Sequence, residues 1–179
     1  MEDPSLHDAF VELHGERLHG FALLVTLGDR PLAGMLSAEA LASGAERIGQ
    51  LRHPERAAAW LRASVTRAAR RPAWGHQRPG EAERRDALLT LGVDPATYDA
   101  LASLDVQGRA AVVAATVEGF AAADVYEVAG SDERVRRARR DYLTAYLAAS
   151  QTRNTKPAAG PLTARVHAAA AHVLSGSGR

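Results

Sequence analysis

The 179 residues include 22 basic and 21 acidic side chains, so the formal net charge is only +1 and the chain as a whole is not strongly basic. There is no cysteine, which excludes disulfides, thiolate zinc sites and a cysteine nucleophile. Residues 1–14 lack the features of a signal peptide, and no apolar run reaches the length of a membrane span. We therefore expect a cytoplasmic protein that does not enter a membrane.

Apolar residues recur every three or four positions through the first part of the chain, which is the period of an amphipathic helix. The predicted helices cover residues 5–27, 31–48 and 54–70. Gly15 interrupts the apolar stripe of the first helix and predicts a kink there. Gly28 and Pro31 are typical of the end of one helix and the start of the next. Residues 1–71 are thus predicted to form a helical domain.

Residues 72–82 contain two prolines and two glycines without helical periodicity, which predicts a linker. Helical patterns resume after it and define a predicted second domain at 83–150. Its predicted helices cover residues 83–91, 95–103, 106–118, 121–129 and 132–150. Asp94, Asp105 and Ser131 each precede one of these helices, and side chains of this type cap helix N-termini.

The last part of the chain, 151–179, follows a different pattern. Residues 151–160 are polar and predict a second linker, whereas 161–174 predict a short amphipathic helix. This helix either packs on the preceding domain or masks its surface, and the final residues are predicted to be a disordered tail. No strand pattern occurs anywhere, so the predicted fold class is all-α.

The strongest functional pattern lies between residues 106 and 146. A helix, a break at Gly119, a short helix, a turn at Gly130 and a basic helix together outline a helix-turn-helix domain. The last helix has five arginines within seven residues: Arg134, Arg136, Arg137, Arg139 and Arg140. Such a cluster suits contacts to DNA phosphates and base edges. The alternative is a solvated basic face balanced by neighbouring acids.

A weaker pattern occurs around the third predicted helix and the linker after it. There Trp60 and Trp74 accompany four arginines: Arg62, Arg67, Arg70 and Arg71. Aromatic rings among basic residues suit single-stranded nucleic acid, because bases stack on the rings. The alternative is that Trp60 belongs to the core and the arginines face solvent, and the residues alone favour it.

Patterns typical of enzymes are absent from the sequence. The seven histidines include no pair with the helical spacing and carboxylate support of a metal site. No glycine-rich phosphate loop follows a strand. We therefore predict neither enzymatic activity nor a cofactor. An all-helical enzyme stays open as a hypothesis that would require a pocket with convergent acids or a metal.

Residues 8–146 resemble the extracytoplasmic-function group of bacterial RNA polymerase sigma factors. In the first half, Leu-Val-Thr-Leu-Gly-Asp-Arg-Pro-Leu-Ala at 24–33 is similar to a helix junction of that family, and the stretch from Pro54 to Leu61 resembles the segment before its promoter-melting region. In the second half, 101–113 resembles the opening of the family's last domain. Glu-Gly-Phe at 118–120, followed by 124–130, resembles the helix before its recognition helix.

The resemblance implies a sigma region 2-like domain at 1–71 and a helix-turn-helix, region 4-like domain at 83–150. It implies core RNA polymerase and promoter DNA as partners, an anti-sigma factor as a further candidate, and no small-molecule substrate. The implied polymerase contacts are Asp29, Leu36, Glu39 and Leu41. Trp60 and the arginines near it would contact the opened strand, and the arginines of the last helix the −35 duplex.

The stretch 34–41 lacks the acidic pair and the glutamine that the family carries in its polymerase-binding helix. This departure motivates a second hypothesis. In it, the protein keeps a sigma-like fold but binds an anti-sigma factor or another regulator, without recognising a promoter.

Overall fold

The computed structural model describes residues 4–47, 56–71 and 75–153, with side chains from residue 7 onward. Within these ranges the protein consists of eight α-helices and has no strand, so the predicted all-α class is confirmed. The helices are α1 Pro4–Val25, α2 Arg30–Ala45, α3 Ala57–Ala69, α4 Glu81–Leu89, α5 Pro95–Ala102, α6 Val106–Thr116, α7 Ala122–Ala129 and α8 Asp132–Thr152. The second linker was predicted at 151–160, but residues 151 and 152 belong to α8. The rest of this linker from residue 154, the predicted helix at 161–174 and the tail lie outside the described residues.

Helix α1 runs without interruption through Gly15, where a kink was predicted. A β-carbon added at Gly15 would lie 3.8 Å from the Leu41 side chain, so this position faces α2 across a close helix contact. The α-helix therefore continues through Gly15, where a β-carbon would make an ordinary van der Waals contact with α2.

Local side-chain caps fix several helix starts, as the sequence predicted. Asp94 accepts a hydrogen bond from the Thr97 amide at 2.9 Å, and Asp105 accepts one from the Gly108 amide at 2.6 Å. Ser131 caps α8 in the same manner. Each cap satisfies a backbone N–H group that has no partner inside its helix.

The helices before and after residues 72–82 share one apolar core. Helices α1, α2 and α3 pack against one another, α6 packs on α1, and α7 packs on α3. One buried cluster extends from Phe10 in α1 to Val128 in α7. The predicted domains at 1–71 and 83–150 are therefore in direct contact across an apolar interface.

The junction between α1 and α2 fits closely against α4. Gly28 has a φ of +81°, and a β-carbon added to it would lie 2.1 Å from the Arg84 carbonyl oxygen. Nearby, Asp29 is buried and accepts hydrogen bonds from the Leu32 amide at 3.1 Å and from the His76 ring at 2.7 Å. The residues after 75 are thereby attached to the first half of the chain.

Arg109 of α6 joins three helices from a buried position. Its guanidinium donates to the carbonyl oxygens of Val25 at the end of α1, of Leu101 in the last turn of α5 and of Leu104 in the loop before α6. Burial, with a smaller contribution from the nearby charge of Arg78, lowers the pKa of Arg109 to about 10. The side chain is still protonated at neutral pH, where its positive charge lies against carbonyl oxygens at or just after the C-termini of α1 and α5, an arrangement that the helix dipole favours.

An ionic network joins α4, α5 and the C-terminus of α8. Asp99 of α5 accepts hydrogen bonds from Arg85 of α4 at 2.6 Å and from Arg153, which follows α8, at 2.8 and 3.0 Å. Partial burial raises the pKa of Asp99, but the hydrogen bonds from Arg153 and Arg85 outweigh it, so the pKa lies below its ordinary value of 3.8. The network therefore stabilises the ionised carboxylate.

We expect Asp99→Asn to lower the free energy of unfolding by about 1 kcal/mol at neutral pH, because these partly exposed pairs are screened by solvent. Since the folded-state pKa is depressed, the contribution is present above the unfolded-state value and is lost as the pH falls through the folded-state value. The difference from the parent protein should therefore shrink as the pH is lowered. Urea unfolding followed by circular dichroism at several pH values measures it.

The matched control is Asp86→Asn on α4, where the carboxylate is exposed. It should change the stability by less than about 0.5 kcal/mol. A loss in Asp99→Asn that stays constant between neutral and acidic pH would contradict the assignment to the ionised carboxylate.

Candidate nucleic-acid interface

Helices α7 and α8 are joined by a two-residue turn. Gly130 adopts a φ of +83°, which glycine tolerates without strain, and it ends α7. Ser131 then caps α8 through the Arg134 amide. The buried Ala138 and the partly buried Val135 pack α8 against α6 and α7, so the direction of its outer face is fixed.

Four of the five predicted arginines of α8 are exposed on that helix: Arg136, Arg137, Arg139 and Arg140. The fifth, Arg134, is half-buried and donates a hydrogen bond to the Ala129 carbonyl oxygen at 2.7 Å. Arg134 therefore provides a hydrogen-bond donor for a carbonyl group at the C-terminus of α7, and the other four arginines form the basic surface. We call Arg136, Arg137, Arg139 and Arg140 the α8 basic surface.

The charges of this surface are only partly balanced. Arg136 and Arg137 both approach Glu133, at 3.3 and 3.9 Å, and all three side chains are more than 60% exposed, so these pairs are weak. Within 4–47, 56–71 and 75–153, neither Arg139 nor Arg140 forms an ion pair. The surface thus keeps a local positive charge although the whole chain is nearly neutral.

The predicted strand-binding residues of α3 are not brought together on one surface. Arg67, Arg70 and Arg71 are exposed, whereas Trp60 is half-buried against the core with Arg47 at 6.0 Å from its ring. Trp74 lies outside the described residues. Among the predicted strand-binding residues that the structure describes, three arginines at the end of α3 are therefore exposed.

Arg62 differs from its neighbours because only 2% of it is exposed. Its guanidinium forms an ion pair with Glu118 at 2.8 Å and lies 5.9 and 5.5 Å from the centres of the Phe21 and Phe120 rings. Burial lowers the pKa of Arg62, and the charge of Glu118 opposes this shift. In this arrangement Arg62 joins the two halves of the chain and cannot contact a nucleic-acid strand.

The implied polymerase contacts also lie mostly inside the protein. Asp29 and Leu36 are buried, Leu41 is half-buried, and Glu39 alone of the four is exposed. Asp29 caps α2 and accepts from His76, as described above. These four residues do not form a common exposed surface in the packed protein.

Sequence reasoning missed the residues that hold the two halves together. Glu118 was noted only within its Glu-Gly-Phe motif, and its partner Arg62 is 56 positions away. A second contact of this kind joins Arg56 of the first half to Asp124 of α7 at 2.9 Å. The sequence carries no signal for either pairing, because the distances along the chain are long and many similar arginines are available.

Among the residues that the structure describes, no three histidine, aspartate or glutamate side chains are grouped so that they could hold a metal ion. None of the described helices is both long and apolar enough to cross a membrane. No protein-family model, curated protein or solved structure matches the chain.

Proposed function

We propose that the protein binds double-stranded DNA through α8 and acts as a transcription initiation factor of the sigma type. The observation that carries the proposal is the α8 basic surface, which places four exposed arginines within five positions of a helix that follows a tight turn. A helix presented in this way fits the width of the major groove. The resemblance of residues 8–146 to sigma factors supports the more specific assignment.

The expected binding energy is mainly electrostatic. Arginines that neutralise phosphates release condensed counterions, and each contact contributes about 0.9 to the slope of log affinity against log salt. Because the net charge is only +1, the long-range attraction of the whole protein is small. Binding should therefore depend strongly on the local surface and fall steeply as salt is added.

We expect Arg140→Gln to weaken binding to any duplex and to reduce the salt slope by about 1, because Arg140 is exposed and free of ion pairs within the described part of the chain. Fluorescence anisotropy of a labelled duplex, titrated at several salt concentrations, measures both quantities. Arg17→Gln is the matched control, since Arg17 is an exposed arginine on α1 that belongs to none of the predicted nucleic-acid contacts. A flat salt dependence of the parent protein, or equal losses in the two variants, would count against the proposal.

The sigma-type assignment requires binding to core RNA polymerase. The expected result is co-elution of the purified protein with the core enzyme on a sizing column, weakened by Glu39→Arg because Glu39 is the exposed member of the implied contact set. Since Asp29 and Arg62 are buried and bonded to His76 and Glu118 of the second half, their use in polymerase or strand contacts would also require the two halves to separate. Absence of co-elution by a folded, helical protein would contradict this assignment.

A second candidate function is a sigma-like interaction protein that binds a regulator without recognising a promoter. Two observations favour it. The implied polymerase residues are largely buried, and α8 exposes Leu143 and Leu147 one turn apart, with 56% and 57% of each accessible. Exposed leucines on one helix are better suited to contact with a protein partner than to contact with DNA phosphates. Promoter-directed transcription with purified polymerase would exclude this candidate.

A further inference from the structure

We propose that a groove between α6, α7 and α8 binds a small organic monocarboxylic acid with an apolar body. The groove has a volume of about 370 Å³, which lies within the range of small-molecule sites. It is lined by Ala115, Phe120, Ala122, Val125, Asp132, Val135, Arg136 and Arg139. The proposal does not depend on DNA binding, since it concerns the charge and shape of the groove alone.

The apolar lining of the groove comes from three parts of the chain. Phe120 lies in the loop after α6, Val125 in α7 and Val135 in α8. Phe120 also packs against the core and against Arg62, so the loop that carries it is held in place. A ligand with an aromatic or branched aliphatic body would remove this surface from water, which favours binding.

The polar part of the lining selects the ligand's head group. Arg139 forms no ion pair with any described residue, and Arg136 has only the exposed contact to Glu133. A guanidinium group can bind a carboxylate through two parallel hydrogen bonds, which gives a preferred orientation as well as charge neutralisation. A ligand whose carboxylate binds between these two side chains would place its apolar body over Phe120, Val125 and Val135.

Asp132 narrows the ligand class further. Asp132 belongs to the same lining, and a negative charge at this position would repel a second negative charge on the ligand. A monocarboxylate therefore fits the groove better than a dicarboxylate or a doubly charged phosphate ester. The chemistry that the groove recognises is one negative charge at the end of an apolar body.

Isothermal titration calorimetry with 3-phenylpropanoate tests the proposal, with 3-phenylpropanamide as the neutral probe of the same shape. We expect a dissociation constant of about 1 mM or below for the acid and at least about tenfold weaker binding of the amide. Phenyl phosphate should also bind more weakly than the acid. Equal binding of the amide, equal or tighter binding of phenyl phosphate, or no binding of the acid up to about 10 mM would overturn the proposal.

Three variants localise the site. Arg139→Gln should weaken binding of 3-phenylpropanoate about tenfold, whereas Arg137→Gln should leave it unchanged, because Arg137 is exposed on the same helix but does not line the groove. Ala122→Trp introduces a large side chain at an exposed lining position and should abolish binding, with the helix content unchanged by circular dichroism. Equal effects of the two arginine variants, or full binding in Ala122→Trp, would place the acid elsewhere and overturn the assignment.

Discussion

Replacing Arg62 by methionine is expected to lower the free energy of unfolding by about 3–5 kcal/mol, because it leaves the Glu118 carboxylate largely buried without its partner. The side chains of the pair are 2% and 12% exposed, so solvent can replace little of the lost interaction. Methionine retains much of the apolar contact with Phe21 and Phe120, so the charge is the main change. Urea unfolding followed by circular dichroism measures the loss.

Two further variants separate the charge from packing. The double variant Arg62→Met with Glu118→Met should recover a large part of the loss, since an apolar pair of similar size removes the buried charge. Arg67→Met, at an exposed position of the same helix, should change the stability by less than about 0.5 kcal/mol. Full recovery is not required, but a double variant as unstable as Arg62→Met alone would contradict the role of the ion pair.

Gly28→Ala is expected to cost about 3 kcal/mol or more for two combined reasons. A residue with a β-carbon at a φ of +81° is strained by about 1–2 kcal/mol. The new carbon would also lie 2.1 Å from the Arg84 carbonyl oxygen, so the α1–α2 junction and α4 would have to move apart. Thermal and urea unfolding of the purified variant check this expectation.

Gly20→Ala is the matched control within α1. A β-carbon at Gly20 meets no atom within 4 Å, and alanine favours a helix interior over glycine, so this variant should be more stable by about 0.5–1 kcal/mol. Changes of opposite sign in the free energy of unfolding of the two glycine variants would support the close fit between the halves. A loss in Gly28→Ala no larger than about 1 kcal/mol would show that the junction relaxes easily.

The sequence by itself determined the helices and where most of them begin and end. The period of three to four residues located every described helix to within a few positions, because it reflects the geometry of the helix itself. The caps at Asp94, Asp105 and Ser131 and the stop at Gly130 were also predictable. Each of these depends on residues at most four positions apart, so the information is local.

The exposure of the α8 arginines was partly predictable for the same reason. Arg136, Arg137 and Arg140 lie away from the apolar stripe formed by Val135, Ala138 and Tyr142, and Arg139 lies beside this stripe. The structure exposes all four arginines. The half-buried position of Arg134 was not evident, because it depends on where α7 ends in space. Whether the exposed surface binds DNA stays a prediction.

Only the tertiary structure decided which arginines are internal and which acids they meet. Arg62, Arg67, Arg70 and Arg71 look alike in the sequence, yet Arg62 is buried against Glu118 and the others face solvent. The contacts of Arg109 with α1 and α5, the fit of Gly28 against α4 and the groove between α6, α7 and α8 have the same origin. Several of them join segments far apart in the chain, and the geometry of all of them follows from helix packing, which no local period encodes.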